Sequence, residues 1–133
     1  MSELFSSDWA QRYRDVWNGP QGIAEELAII DFSSVVAFGL EDEANPRCVL
    51  TISHGHVIHA GPPNGEVILW DLRADPAEWK KLLEKPPGIM RLGLAYTSRK
   101  LKFRKGDYAA MIRNASLANA FVKCFALMRQ ATR

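Results

Sequence analysis

The sequence predicts an α+β domain with a five-stranded, mostly antiparallel sheet and helices gathered on one face. Three observations carry this. Four short β-rich segments follow one another between residues 33 and 72, joined by turns too short for parallel crossovers. Helical stripes precede and follow them. A sharply alternating segment, Lys100 to Lys105, adds a fifth strand among the later helices. With 133 residues the chain is one domain, 1–133, large enough to fold without disulfides or a structural metal. Hydrophobic residues at 47% and charged residues at 24% match a globular composition, which excludes a disordered or coiled-coil chain.

The first element, within residues 1–20, is a helix. Trp9, Ala10, Tyr13, Val16 and Trp17 form one apolar face, Ser7 or Asp8 caps it, and Asn18-Gly19-Pro20 stops it. A shorter helix follows with the stripe Ile23, Leu27, Ile30. Strands are predicted over Ser33 to Asp42, Arg47 to Ser53, Val57 to Ala60 and Val67 to Leu72, with a tight turn at His54-Gly55 and a loop at Gly61-Pro62-Pro63-Asn64-Gly65. Strand parity turns Val36, Phe38, Leu40, Cys48, Leu50, Ile52, Ile68, Trp70 and Leu72 inward and Asp71 outward.

Asp75-Pro76-Ala77-Glu78 is the strongest local signal: an N-cap, a proline at the first helical position and a capping-box glutamate. The helix it opens buries Trp79, Leu82 and Leu83 and stops at Pro86-Pro87. From Gly88 to Tyr96 the next helix is apolar on more than one side. After the fifth strand, Gly106-Asp107 turns into helix again, and Ser116 to Arg129 closes the chain. That last helix has two apolar stripes, Leu117, Ala120, Phe121, Cys124, Met128 and Ala118, Val122, Phe125, so it must be covered nearly all round or line something apolar. Core packing, a lipid-sized cavity and a subunit interface all satisfy that requirement.

No nucleophile elbow, zinc-protease motif, P-loop or dinucleotide fingerprint occurs, and no catalytic residue is assigned. His54, His56 and His59 cluster around a hairpin turn without a convergent acid, so no metal site is expected. Cys48 and Cys124 lie in apolar surroundings and read as buried free thiols. Five basic residues fall in the seven positions from Arg99 to Lys105. Lys100, Lys102 and Arg104 form the exposed side of that strand: either a solvated edge or a contact for membrane and anionic headgroups. A net charge of +2 argues against a nucleic-acid partner. Met1 to Phe5 lacks the basic and apolar regions of a secretory signal, and the expected location is the cytoplasm.

Phe32-Ser33-Ser34-Val35-Val36-Ala37-Phe38-Gly39-Leu40 resembles the first strand of the sterol carrier protein type 2 domain. The Asp-led helix from Asp75 to Leu83, the apolar helix after it, and Lys100-Leu101-Lys102-Phe103-Arg104-Lys105-Gly106-Asp107 follow in that family's order, so the resemblance spans residues 22–130. Ser98-Arg99 departs from the small glycine-containing turn often found before the basic strand. The resemblance implies an apolar tunnel between sheet and helices, no cofactor, no catalysis, and a sterol, fatty acid, acyl-CoA or similar lipid as ligand. Phe38, Leu50, Trp70, Leu92, Met111, Phe121 and Phe125 are the expected lining, with the pocket between the inner sheet face and the helices from residue 88 onward. The alternative is an interaction module that buries its surplus apolar helix in a homodimer, or presents a lipid-like substrate to a partner enzyme.

Overall fold

A computed structural model describes residues 3–132. Helix α1 (Ser7–Asn18) and helix α2 (Ala24–Ile29) lead into strands β1 (Ser34–Leu40), β2 (Cys48–Ser53), β3 (His56–Gly61) and β4 (Trp70–Ala74). Helices α3 (Pro76–Glu84) and α4 (Ile89–Thr97), strand β5 (Lys102–Lys105), and helices α5 (Tyr108–Arg113) and α6 (Ala115–Thr132) complete the chain. The strand order is β3-β2-β1-β4-β5, and β1 with β4 is the one parallel pair in it. The β2–β3 hairpin and the long loop after it supply the connection that a parallel pair requires.

The α1 cap is Ser6, one residue before the expected Ser7 or Asp8; its hydroxyl accepts from the Trp9 amide. Trp9, Ala10, Tyr13 and Trp17 are buried, as their spacing predicts. The β2–β3 turn places His54 at φ 48° and Gly55 at φ 88°, the paired left-handed conformation of a two-residue hairpin. Gly55 is also packed against α2: a Cβ there would lie 2.4 Å from the Ala24 carbonyl oxygen. The Asp75 carboxylate accepts from the Glu78 amide at 2.7 Å and starts α3 as the capping box requires.

Two strands begin later than their β-propensity predicts. β4 starts at Trp70, not Val67: the Leu69 N–H still donates to the Val35 carbonyl at 3.0 Å, but regular pairing with β1 begins at Val36 and Trp70, and Val67 and Leu69 are left exposed. β5 starts at Lys102, so Lys100 lies in the turn before it. Asp71 is turned outward as its parity dictates, yet it is buried rather than solvated. Arg73 grips it with two bonds, Nε to Oδ1 at 2.6 Å and Nη2 to Oδ2 at 3.1 Å. Nη1 of the same guanidinium donates to the Leu40 and Glu43 carbonyls, folding the 41–47 loop over this face. Gly39 makes room for the loop, since a Cβ there would lie 2.9 Å from the Pro46 Cα.

On the other face α1 packs against β2 and β3, and α2 against β3. Helix α6 touches all five other helices, which is why it carries apolar residues on more than one stripe.

Candidate functional site

The inner face of the sheet and the central helix do not close completely on each other. Val36 and Phe38 from β1 lie beside Trp70 and Leu72 from β4, and Leu72 beside Phe103 from β5, so strand pairing puts these five on one surface. Opposite them α6 presents Leu117, Ala120, Phe121, Cys124 and Met128, the first stripe that its three- and four-residue spacing predicts, joined by Phe125 from the second. Met111 of α5, Trp17 of α1, Leu27 of α2 and Phe32 complete the wall. The open space inside is about 70 Å³, and about 600 Å³ when the mouth and the gaps between side chains are included.

The lining is apolar throughout. Its one indole buried to the ring nitrogen, Trp17, spends that N–H on the Gly55 carbonyl at 2.9 Å. A water molecule there would lack the two to four polar partners that hold buried water, so the cavity favours an apolar guest. Phe32, Val36, Trp70, Phe103 and Leu117 are only half-buried and mark the side on which the cavity approaches solvent. Rings continue the wall outward: Phe103 meets Phe121 at 5.8 Å and Tyr108 at 5.5 Å, and Tyr108 stacks on Tyr96 of α4 at 4.0 Å.

Among the expected lining residues, Phe38, Trp70, Met111, Phe121 and Phe125 meet at this cavity. Leu50 and Leu92 do not. Both are fully buried, and both are packed into the surrounding core instead. Leu92 is the α4 residue expected at the cavity; Tyr96 of α4 joins only the ring cluster outside it, and no α4 side chain lines the cavity itself. Trp17, Leu27 and Phe32 were not expected there; they sit on helices and a connection whose stripes signal burial without saying against what.

Burial pushes the Cys124 thiol up to about 12, and the Cys48 thiol likewise to about 12. Burial also holds the Tyr13 hydroxyl well above its ordinary value; that hydroxyl donates to the Cys124 carbonyl at 3.2 Å. Neither thiol is a poised nucleophile. His54, His56 and His59 are exposed, and His54 Nδ1 pairs with Asp31. Among the described residues no cluster of His, Cys, Asp or Glu could hold a metal ion.

The basic residues of the fifth strand do not act as one free face. Lys102 pairs with Glu41 at 3.2 Å. Arg104 donates to the Glu41, Glu43 and Ala44 carbonyls and ties β5 to the 41–47 loop. Lys100, before the strand, lines a separate surface groove with Lys81 and Arg91. No helix among the described residues is long and apolar enough to cross a membrane.

No protein-family model and no curated protein matches the sequence. Solved structures do. A crystal structure of sterol carrier protein 2 superposes with a TM-score of 0.72 at 26% identity, covering 96% of this chain and 98% of that one. A conserved hypothetical protein and candidate sterol carrier from Thermus thermophilus, solved in solution, gives 0.63 at 26% identity over 97% of this chain and 90% of its own. Sterol carrier protein 2 from Yarrowia lipolytica, in its apo form, gives 0.51 at 18% identity over 97% and 96%, a likeness of fold.

Proposed function

Because the chain belongs to the sterol carrier protein 2 family, we propose that it is a non-enzymatic carrier that encloses an apolar molecule between the sheet and α6. The ligand class is a sterol, fatty acid, acyl-CoA or similar lipid. The observation that carries this reading is a cavity walled by apolar side chains alone. Phe38, Trp70, Met111, Phe121 and Phe125 are its proposed contacts. Burying hydrocarbon stabilises by roughly 25 cal/mol per Å², so a few hundred Å² supports micromolar binding after ordering costs, with no charged anchor. The closed space of about 70 Å³ is smaller than a lipid chain, so side chains must give way on loading. Met111, Leu117 and Met128 are flexible enough to do so, and the half-buried side of the wall is where a chain enters.

Peripheral membrane contact through Lys100, Lys102 and Arg104 is a weaker part of this proposal. Lys102 and Arg104 would have to leave the partners they hold in the folded chain. A homodimer is the second reading. It is favoured by the exposure of Met90 and Leu94 on α4, a helix whose apolar excess the fold leaves uncovered.

Displacement of a fluorescent fatty acid by lipids tests the carrier reading. The wild type should bind the probe in the micromolar range. Phe121→Asp should weaken binding at least about a hundredfold, because an unpaired carboxylate in an apolar cavity is costly. A wild type that binds no apolar probe below about 100 µM overturns the reading.

A further inference from the structure

We propose that the outward ridge of α4, with the cations beside it, docks on the surface of an anionic phospholipid bilayer. The ridge is apolar where a free surface helix would be polar. Leu92 and Ala95 face the core, while Met90 is 81% exposed and Leu94 67% exposed. The two are four residues apart and so stand one above the other on the solvent side, with Ile89, 43% exposed, at the flank.

Charge is the second, independent observation. From Lys85 to Lys105 the chain has seven basic residues and no acid. Three cations, Lys81, Arg91 and Lys100, line a surface groove of about 510 Å³ that has Leu94 on its wall and Glu78 as its one acid. Arg91 Nη1 donates to the Lys85 carbonyl at 3.0 Å, which draws it toward the α3–α4 connection. Exposed aliphatic side chains beside a cluster of cations suit a bilayer interface, where chains enter the acyl boundary and cations meet phosphates. A second copy suits it less, because apposing two such faces brings like charges together.

The position fits a carrier, and this part rests on the carrier reading. Tyr96 of α4 stacks on Tyr108 of α5, and α5 supplies Met111 to the cavity wall. The docked face is therefore one helix away from the cavity.

Co-sedimentation with vesicles is the test, using equimolar phosphatidylcholine and phosphatidylglycerol against phosphatidylcholine alone. The wild type should prefer the anionic vesicles and lose that preference as salt rises. Met90→Gln with Leu94→Gln should lower partitioning about tenfold or more. Lys81→Gln, Arg91→Gln and Lys100→Gln together should lower it about a hundredfold. Both variants should keep the wild-type melting temperature and fatty-acid displacement, since every altered side chain is exposed. Equal binding of wild type to both vesicles, or unchanged binding by the Met90/Leu94 variant, overturns the proposal. So does loss of fatty-acid displacement in that variant, or concentration-dependent self-association that Leu94→Gln abolishes, which gives the face to a second copy. If the wild type binds anionic vesicles through this ridge but displaces no fatty acid, the docking surface stands and the carrier reading falls.

Discussion

Two aromatic clusters share the interior and meet near Phe38, and they are packed differently. On the N-terminal side Phe5, Trp9, Tyr13 and Trp79 are all at most 2% exposed. Phe5 meets Trp9 edge-on at 5.0 Å and Trp79 at 5.0 Å, and stacks on Phe38 at 5.8 Å. The indoles are satisfied: Trp79 Nε1 donates to the Gly39 carbonyl and Trp9 Nε1 to the Thr132 hydroxyl. On the C-terminal side Trp70 and Phe103 are half-buried and border open space, with the half-buried Tyr108 packed against Phe103 from outside. The same residue class thus builds a solid wall and a hollow one. What separates them is whether the rings close on each other or on a gap. The solid half fixes α1 and α3 on the sheet, and the hollow half is left to adapt.

The largest expected effect is on the solid half. Trp79→Ala removes a fully buried indole together with its hydrogen bond to the Gly39 carbonyl, and should destabilise by about 3–5 kcal/mol in urea unfolding. Phe121→Ala should cost less, about 1–3 kcal/mol, because its ring already borders empty space and lacks part of a core residue's contacts. It should also shift ligand preference toward bulkier molecules in the fluorescent displacement assay. Equal destabilisation by the two substitutions would erase the distinction between the halves.

The solid half is the part that the sequence makes legible. Its stripe in α1 and the capping box at Asp75 state both the element and its buried side, because helix period and caps are local properties. The double stripe of α6 is equally readable, and contact with five helices accounts for it. The hollow half is not readable in the same way. Leu50 and Phe38 carry the same inward parity, yet one is plain core and the other borders the cavity. Periodicity reports that a residue is covered, and a gap of one side chain's width leaves no trace in it. Asp71 shows the converse limit: alternation reads it as solvated, but the cover comes from Arg73 and a loop that closes from elsewhere in the chain. For α4 the sequence shows apolar residues on more than one side, and the fold covers Leu92 and Ala95 while leaving Met90 and Leu94 outside.

Each half contains one thiol, and the thiols give smaller, sharper tests. Cys48 sits fully buried on β2 beside Phe38, with its thiol pushed from 9.0 to about 12 by burial. The folded state therefore keeps a proton that the unfolded state releases between about pH 9 and 12, so the stabilisation is complete below about 9 and is lost as pH rises. The expected loss is about 1.4 kcal/mol per pH unit for this group. Unfolding free energies measured from about pH 9 to 11 should decline less steeply in Cys48→Ala by about that slope. An unchanged slope would show that the thiol is not desolvated in the folded state.

Cys124 has the same raised pKa of about 12 but opens onto the cavity, and that difference is measurable without changing stability. A small apolar maleimide that partitions into the cavity should modify Cys124 several-fold faster than Cys48, with both rates rising about tenfold per pH unit because the thiolate is the nucleophile. Peptide mapping by mass spectrometry separates the two sites. Saturating fatty acid should slow modification of Cys124 and leave Cys48 unchanged, since only Cys124 lies on the proposed path of the ligand. The contrast depends on access alone, the two thiols being otherwise matched in acidity. Equal rates at the two cysteines would mean that the hollow half is as closed as the solid one. Protection of both by fatty acid would mean that the ligand tightens the whole fold rather than filling this gap.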